Sequence, residues 1–171
     1  IVVASADLSP ADTVVEVGPG LGVLTERLAE RAGRVVAVEL DRALAALLQE
    51  RAAASPNLEV VQGDILRLDP QALVGERPYK VVANLPYSIG AAVLRHFLEA
   101  EHRPSLLVVT VQRELAENIC ARPGALRLLG LSVQVYGRPR ILLTLGPGSF
   151  YPPPAVRSAV VRIDVYPEPA V

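Results

Sequence analysis

The 171-residue sequence predicts an α/β fold with a mainly parallel sheet and an antiparallel edge. Three features lead to it. Short β-branched runs alternate with stretches of helical periodicity between Thr13 and Ala121; a glycine-rich segment directly follows the first run; and beyond Arg122 strand-like runs follow one another without a long helix between them. The length predicts one domain over residues 1–171, able to bury about two-thirds of its unfolded surface.

Ile1 to Leu8 reads as the tail of a helix, and Thr13–Val17 as the first strand. Leu21, Leu24, Leu28 and Ala32 recur at spacings of three and four, which predicts a helix with one buried stripe, closed by Gly33. Val35–Glu39 is a second strand. An Ala/Leu-rich helix then runs from about Arg42 to Ala54 and stops before Ser55-Pro56-Asn57. Leu58–Gln62, Tyr79–Ala83 and Leu106–Gln112 supply further strands, with helices over Ala91–Ala100 and Arg113–Ala121. Ser132–Arg138 and Ala155–Val165 form the expected antiparallel edge. The loop at Pro152-Pro153-Pro154 is stiff, because each ring fixes its own φ and restricts the residue before it.

Composition removes several classes. No uninterrupted apolar run approaches the roughly 18 residues of a membrane span, and Ile1 to Leu8 is short, contains Asp7 and lacks the positive leading region of a secretory signal. Cys120 stands alone, so no internal disulfide can form and a cytoplasmic protein is expected. With no methionine, even at position 1, the chain is expected to be a piece of a longer product. Seventeen Lys and Arg against 18 Asp and Glu give a net charge of −1, which is not the basic footprint of a free-standing nucleic-acid binder. A nucleic-acid substrate would require clustered basic residues or affinity from other parts of the protein. His96 and His102 have no further ligand at metal spacing and read as surface or packing residues, so no metal site is expected. Cys120 reads as packed rather than nucleophilic.

The candidate chemistry begins at Glu16-Val17-Gly18-Pro19-Gly20-Leu21-Gly22, between the first strand and the first helix, where glycines let backbone approach a ligand. Val23 occupies the third position of a G-x-G-x-x-G dinucleotide fingerprint, so the spacing is G-x-G-x-G instead. A tight turn without a ligand remains the plain alternative. Glu39 ends the second strand about 20 positions after Gly18, where a carboxylate can accept both hydroxyls of a ribose in NAD or in S-adenosylmethionine alike. Asp64, after the third strand, separates the two: its carboxylate is placed to accept the exocyclic amine of a cofactor adenine, with Ile65 against the ring. Asp64 could equally start a turn.

Asn84-Leu85-Pro86-Tyr87 directly follows the fourth strand. Adenine's amino nitrogen is a poor nucleophile because its lone pair is delocalised, and acceptors on its hydrogens would draw it toward tetrahedral geometry. Asn84 offers a side-chain carbonyl, while Pro86, lacking a backbone donor, helps aim a main-chain carbonyl, that of Leu85, at the same amine. Tyr87 offers a ring for base stacking, worth about 1–3 kcal/mol. Phe150, before the proline loop, is either a second stacking face or an ordinary core aromatic.

With these segments in view, the chain resembles the ribosomal RNA adenine dimethyltransferase family, which includes small-subunit RNA dimethyltransferases and the erythromycin-resistance methylases of the large subunit. The resemblance runs from about Val14 to Ile163, through VVEVGPGLGVLTERL, VELD, GDIL, VVANLPYSIG, VQRELAENI and FYPPPAVRSAVVRI. It implies a Rossmann-like class I S-adenosylmethionine-dependent methyltransferase fold. It also implies a cofactor site at Glu16, Gly18, Gly20, Leu21, Glu39, Leu40, Asp64, Ile65 and Asn84, and a target-adenine site at Asn84, Leu85, Pro86, Tyr87 and Phe150. NLPY together with QxExA is closer to the small-subunit enzymes, whose product is dimethylated adenosines near the RNA 3′ end. The implied partner is ribosomal RNA or a small-subunit assembly intermediate, acted on by a monomer.

Departures from the family lie outside the residues assigned to chemistry. An N-terminal Gln-Asn-Phe segment and a helical C-terminal RNA-gripping domain are missing, Arg157 stands where Asp is common, and Leu129 where Tyr is common. DNA adenine methylation, signalled by a related Asn/Asp-Pro-Pro-Tyr motif, and a mainly non-catalytic role in ribosome assembly or transcription are the competing expectations.

Overall fold

The computed structural model describes residues 1–149 and 154–171. Its strands are β1 (Thr13–Val17), β2 (Arg34–Glu39), β3 (Leu58–Gln62), β4 (Lys80–Asn84), β5 (Leu106–Gln112), β6 (Gly137–Leu145) and β7 (Ser158–Val165). They form one sheet in the order β3-β2-β1-β4-β5-β7-β6. Pairing is parallel from β3 through β5, whereas β7 runs antiparallel to both β5 and β6. This is the predicted Rossmann-like α/β architecture with its antiparallel edge. Strand order reverses between β1 and β4, and the crevice beyond the carboxyl ends at such a switch point is where open α/β sheets bind ligands.

The helices are α1 (Val23–Ala29), α2 (Arg42–Ala52), α3 (Pro70–Val74), α4 (Gly90–Leu98), α5 (Arg113–Ile119) and α6 (Leu128–Gln134). Most strands are buried on both faces, which is why they read as continuous β-branched runs. One face packs Val15, Val36, Val81, Leu107 and Val109 against Val93, Leu94 and Phe97 of α4, together with Ala116, Ile119 and Val133. The opposite face carries Val14, Val35, Val82, Val108 and Val160 against Leu28 of α1 and Ala6.

Three expectations are corrected. The first helix spans only Val23–Ala29, and Leu21 lies outside it, 62% exposed. Its early stop has a cause in Asn57, whose Nδ2 donates to the carbonyls of Ala29 at 2.8 Å and Ala32 at 3.0 Å, satisfying groups a continued helix would have used. Of the stretch expected as a strand over Ser132–Arg138, Ser132–Gln134 belong to α6, Val135 and Tyr136 form a turn, and only Gly137 and Arg138 are strand. Gln134 Nε2 donates to the carbonyls of Ile119 and Ala121 at 2.9 Å each, and Val133 is fully buried, so tertiary contacts override the β-branched signal; the edge strand starts only at Gly137. Finally, Ile1 to Leu8 holds a single 3-10 turn over Ala4–Ala6. Lys80 Nζ secures it, donating to the carbonyls of Ala6 and Asp7 at 2.9 Å each, and Arg162 Nη1 donates to Ser5 O at 2.8 Å.

Candidate functional site

The parity of the strands decides what gathers at their carboxyl ends. Val14 of β1, Val35 of β2, Val82 of β4 and Val108 of β5 share one face. Side chains two, or four, residues further along point the same way, which puts Glu16, Glu39, Asn84 and Thr110 on that face where the apolar packing ends. Register makes the alignment closer still. Asn84 pairs with Thr110, and Gly18, whose N–H donates to Val38 O at 2.9 Å, sits level with Glu39 one residue beyond the β1–β2 pairing, whereas β1 and β4 pair only over Val14–Val15 and Lys80–Val81. Glu39, Gly18, Asn84 and Thr110 thus share one sheet face across the switch point, level in two pairs.

Glu39 is 7% exposed, and both carboxylate oxygens are engaged from below: Oε2 accepts from Gly20 N at 3.1 Å and Oε1 from Asp41 N at 3.0 Å. Each oxygen keeps a further lone pair for a ligand hydroxyl. Gly18 and Gly20 have φ of 66° and 58°, left-handed conformations that a side chain would strain. Arg51 Nη1 donates to Leu21 O at 2.7 Å and braces the same loop.

Glu16 lies beneath this loop, 1% exposed, accepting from Thr25 Oγ1 at 2.5 Å. Burial pushes its carboxyl up to about 7 from an ordinary 4.5; the Thr25 hydrogen bond opposes the rise and the Glu39 charge adds to it. Asp64 fulfils the turn role that its position also allowed: Oδ1 accepts from Leu66 N at 3.0 Å and so starts the 3-10 turn Ile65–Arg67. Ile65 behind it is 4% exposed.

Between these groups lies a cleft of about 360 Å³, within the range of small-molecule sites. Of the residues expected at the cofactor, Gly18, Glu39, Leu40, Asp64 and Ile65 line this cleft, together with Val17, Val38, Asp41, Gly63, Pro86, Ser88 and Ile89. Glu16, Gly20, Leu21 and Asn84, also predicted for the cofactor, are not in the lining; Glu16 and Gly20 support it from below or behind, and Asn84 lines the neighbouring cleft instead. Val17, Val38 and Ile89 were missed because in sequence they are indistinguishable from core.

A smaller cleft of about 220 Å³, almost entirely apolar, adjoins it and is lined by Asn84, Leu85, Pro86, Tyr87, Thr110 and Pro154. Pro86 is the wall common to both. Asn84 is exposed at its rim, while Leu85 is 4% exposed and its N–H donates to Thr110 O at 3.1 Å, extending the β4–β5 ladder into the loop. Tyr87 is half-buried, its hydroxyl hydrogen-bonded to that of the fully buried Ser158 on β7. Thr110 Oγ1 is buried with no hydrogen-bond partner among the described residues, an arrangement that costs about 1–3 kcal/mol. Its sequence signal was a lone polar residue within the apolar run Leu106–Val111. Phe150, the other predicted aromatic of this site, lies outside the described residues.

The histidines have packing roles. Nε2–H of His96 donates to Leu68 O and that of His102 to Arg77 O, each at 2.8 Å, with the rings against Phe97 and Tyr79. Cys120 is half-buried, and burial pushes its thiol up to about 11. Among the described residues no group of three His, Cys, Asp or Glu could hold a metal ion, and no helix is long and apolar enough to cross a membrane.

Comparison with known proteins gives a consistent result. The sequence model of the ribosomal RNA adenine dimethylase family matches residues 1–170. The chain is 53% identical over 165 residues to a "Ribosomal RNA small subunit methyltransferase A" of Dehalococcoides mccartyi, covering 96% of this chain and 57% of that protein. It is 44% identical over 178 residues to the protein of the same description from Moorella thermoacetica, covering 98% and 62%. Among solved structures, the 23S rRNA methyltransferase ErmE superposes with a TM-score of 0.88 at 31% identity, over 99% of this chain and 68% of that one. A dimethyladenosine transferase from Plasmodium falciparum gives 0.84 at 25% identity, over 96% and 60%.

Proposed function

Because the chain belongs to the ribosomal RNA adenine dimethylase family, we propose that it is the S-adenosylmethionine-binding catalytic part of an enzyme that dimethylates N6 of adenines in small-subunit ribosomal RNA, near the 3′ end. The observation that carries this reading is the placement of Glu39 and Asn84 on one sheet face at the carboxyl ends of β2 and β4, with one cleft on each side of Pro86.

The larger cleft fits the cofactor. Glu39 accepts the ribose hydroxyls on the free lone pairs of its two oxygens, Asp64 accepts the adenine amine on the carboxylate edge not used by Leu66, and Ile65 lies against the ring. Gly18 leaves open the passage between the clefts, since a side chain there would stand in it. S-adenosylmethionine supplies an electrophilic methyl on a sulfonium. In the smaller cleft Asn84 Oδ1 and the Leu85 carbonyl accept the two amino hydrogens of the target adenine, and the apolar lining with Tyr87 holds the unstacked base. No protein nucleophile is required. Rate arises from holding nitrogen and methyl in line, roughly 3 Å apart, against fixed dipoles.

The chain spans 57% of the length of the Dehalococcoides relative, so RNA affinity is proposed for the whole protein, acting as a cytoplasmic monomer on ribosomal RNA or a small-subunit assembly intermediate. The small-subunit substrate is favoured by the relatives at 53% and 44% identity over the 31% of ErmE. The test is nucleoside mass spectrometry of unmethylated small subunits after incubation with S-adenosylmethionine and the full-length protein. N6,N6-dimethyladenosine is expected; its absence there and its appearance in large-subunit RNA would move the enzyme to the other branch.

A further inference from the structure

Thr110 has no reason in packing to be a threonine. Every other residue from Leu106 to Val111 is apolar, the side chain is 3% exposed, and valine would fill the same space without burying a hydroxyl that has no partner among the described residues. Thr110 is among the residues lining the smaller cleft, and it is the cross-strand partner of Asn84 on the same sheet face. On its other side lies the end of β1, where Gly18 has no side chain to serve as a partner.

Asn84 has an orientation problem. The carbonyl and amino ends of a carboxamide have nearly the same shape, and only the carbonyl end can accept from a target amine. Turned the other way, Nδ2 would set donor against donor. A fixed acceptor for Nδ2 removes the ambiguity, and a buried hydroxyl beside it is such an acceptor.

We propose that Thr110 is a positioning residue: with the base bound, its Oγ1 accepts a hydrogen bond from Asn84 Nδ2 and so aims Asn84 Oδ1 at the adenine amine. The inference rests on the reading of Asn84 as the acceptor for the target base. It accounts for a hydroxyl unpaired among the described residues as a partner held ready for the loaded site, kept at some cost to the stability of the free protein.

The test compares Thr110→Val, Thr110→Ser and Asn84→Ala in the full-length protein, by melting temperature, S-adenosylmethionine titration and single-turnover methyl transfer to unmethylated small subunits. Thr110→Val is expected to melt at or above the wild-type temperature and to bind cofactor equally well, yet to transfer methyl about tenfold more slowly, equivalent to about 1.4 kcal/mol of barrier. Thr110→Ser, which keeps the hydroxyl, restores transfer to within about threefold of wild type. Wild-type transfer by Thr110→Val, or an equal loss in Thr110→Ser, overturns the proposal. Asn84→Ala separates the two levels: if it still transfers methyl, the reading of Asn84 fails and takes this inference with it; if it is inactive while Thr110→Val transfers at the wild-type rate, only the role of Thr110 fails.

Discussion

Gly20 N donates a 3.1 Å hydrogen bond to Glu39 Oε2, tying the loop after β1 to the end of β2 beneath the larger cleft. One carboxylate thus shapes the glycine loop and, on the proposed reading, holds the ribose. Glu39→Gln would turn an amino group toward Gly20 N or Asp41 N. Hydrogen bonds to charged groups contribute about 1.5–3 kcal/mol, so cofactor affinity should fall roughly 10- to 150-fold by calorimetric titration. Unchanged affinity would remove Glu39 from the binding site.

Asn84→Ala should abolish methyl transfer while cofactor affinity stays within about threefold of wild type, since Asn84 opens on the smaller cleft and Glu39 and Asp64 on the larger. Single-turnover transfer and cofactor titration on one preparation decide it. Loss of both together would mean that Asn84 chiefly supports the fold of the loop.

Tyr87 has two separable parts. Tyr87→Phe removes only the hydroxyl bonded to Ser158, at a cost of about 1 kcal/mol, so the melting temperature should drop by about 3 °C with RNA binding retained. Tyr87→Ala also removes the stacking face, worth about 1–3 kcal/mol, and should weaken the RNA complex roughly 5- to 150-fold. Equal RNA binding by the two variants would show that the ring does not touch the base.

Glu16 makes stability depend on pH. Its folded value of about 7 exceeds the ordinary 4.5, so between those limits the folded chain holds a proton that the unfolded chain has released. The stabilisation is complete below about pH 4.5 and is lost as pH rises through about 7, beyond which the buried carboxylate costs up to about 3 kcal/mol. Glu16→Gln should flatten urea unfolding midpoints across this window and raise them at pH 8. A variant with the wild-type pH profile would place the titrating group elsewhere.

Much of this site was legible in the residues. Glu39 was identified by its distance from Gly18 at a strand end, and Asn84 to Tyr87 by following the fourth strand, because backbone period and strand polarity translate such spacing directly into position. Asp64 was legible only as two alternatives, and the structure shows it capping a turn while lining the cleft. The early end of α1 and the helix at Leu128–Gln134 were not legible, since Asn57 and Gln134 act on carbonyls far from them in sequence.

By itself the sequence determined the alternation of strands and helices, the antiparallel edge and the identity of the groups at the strand ends, all consequences of local periodicity and turn chemistry. Tertiary structure alone decided which of those ends are neighbours. Strand order and register set Asn84 level with Thr110 and Gly18 with Glu39, all on one face, and they made Pro86 the wall between two clefts. The physical reason is that register between strands distant in sequence is fixed by packing of the whole sheet against its helices, so the partner of Asn84 is set by the fold and not by its neighbours in the chain.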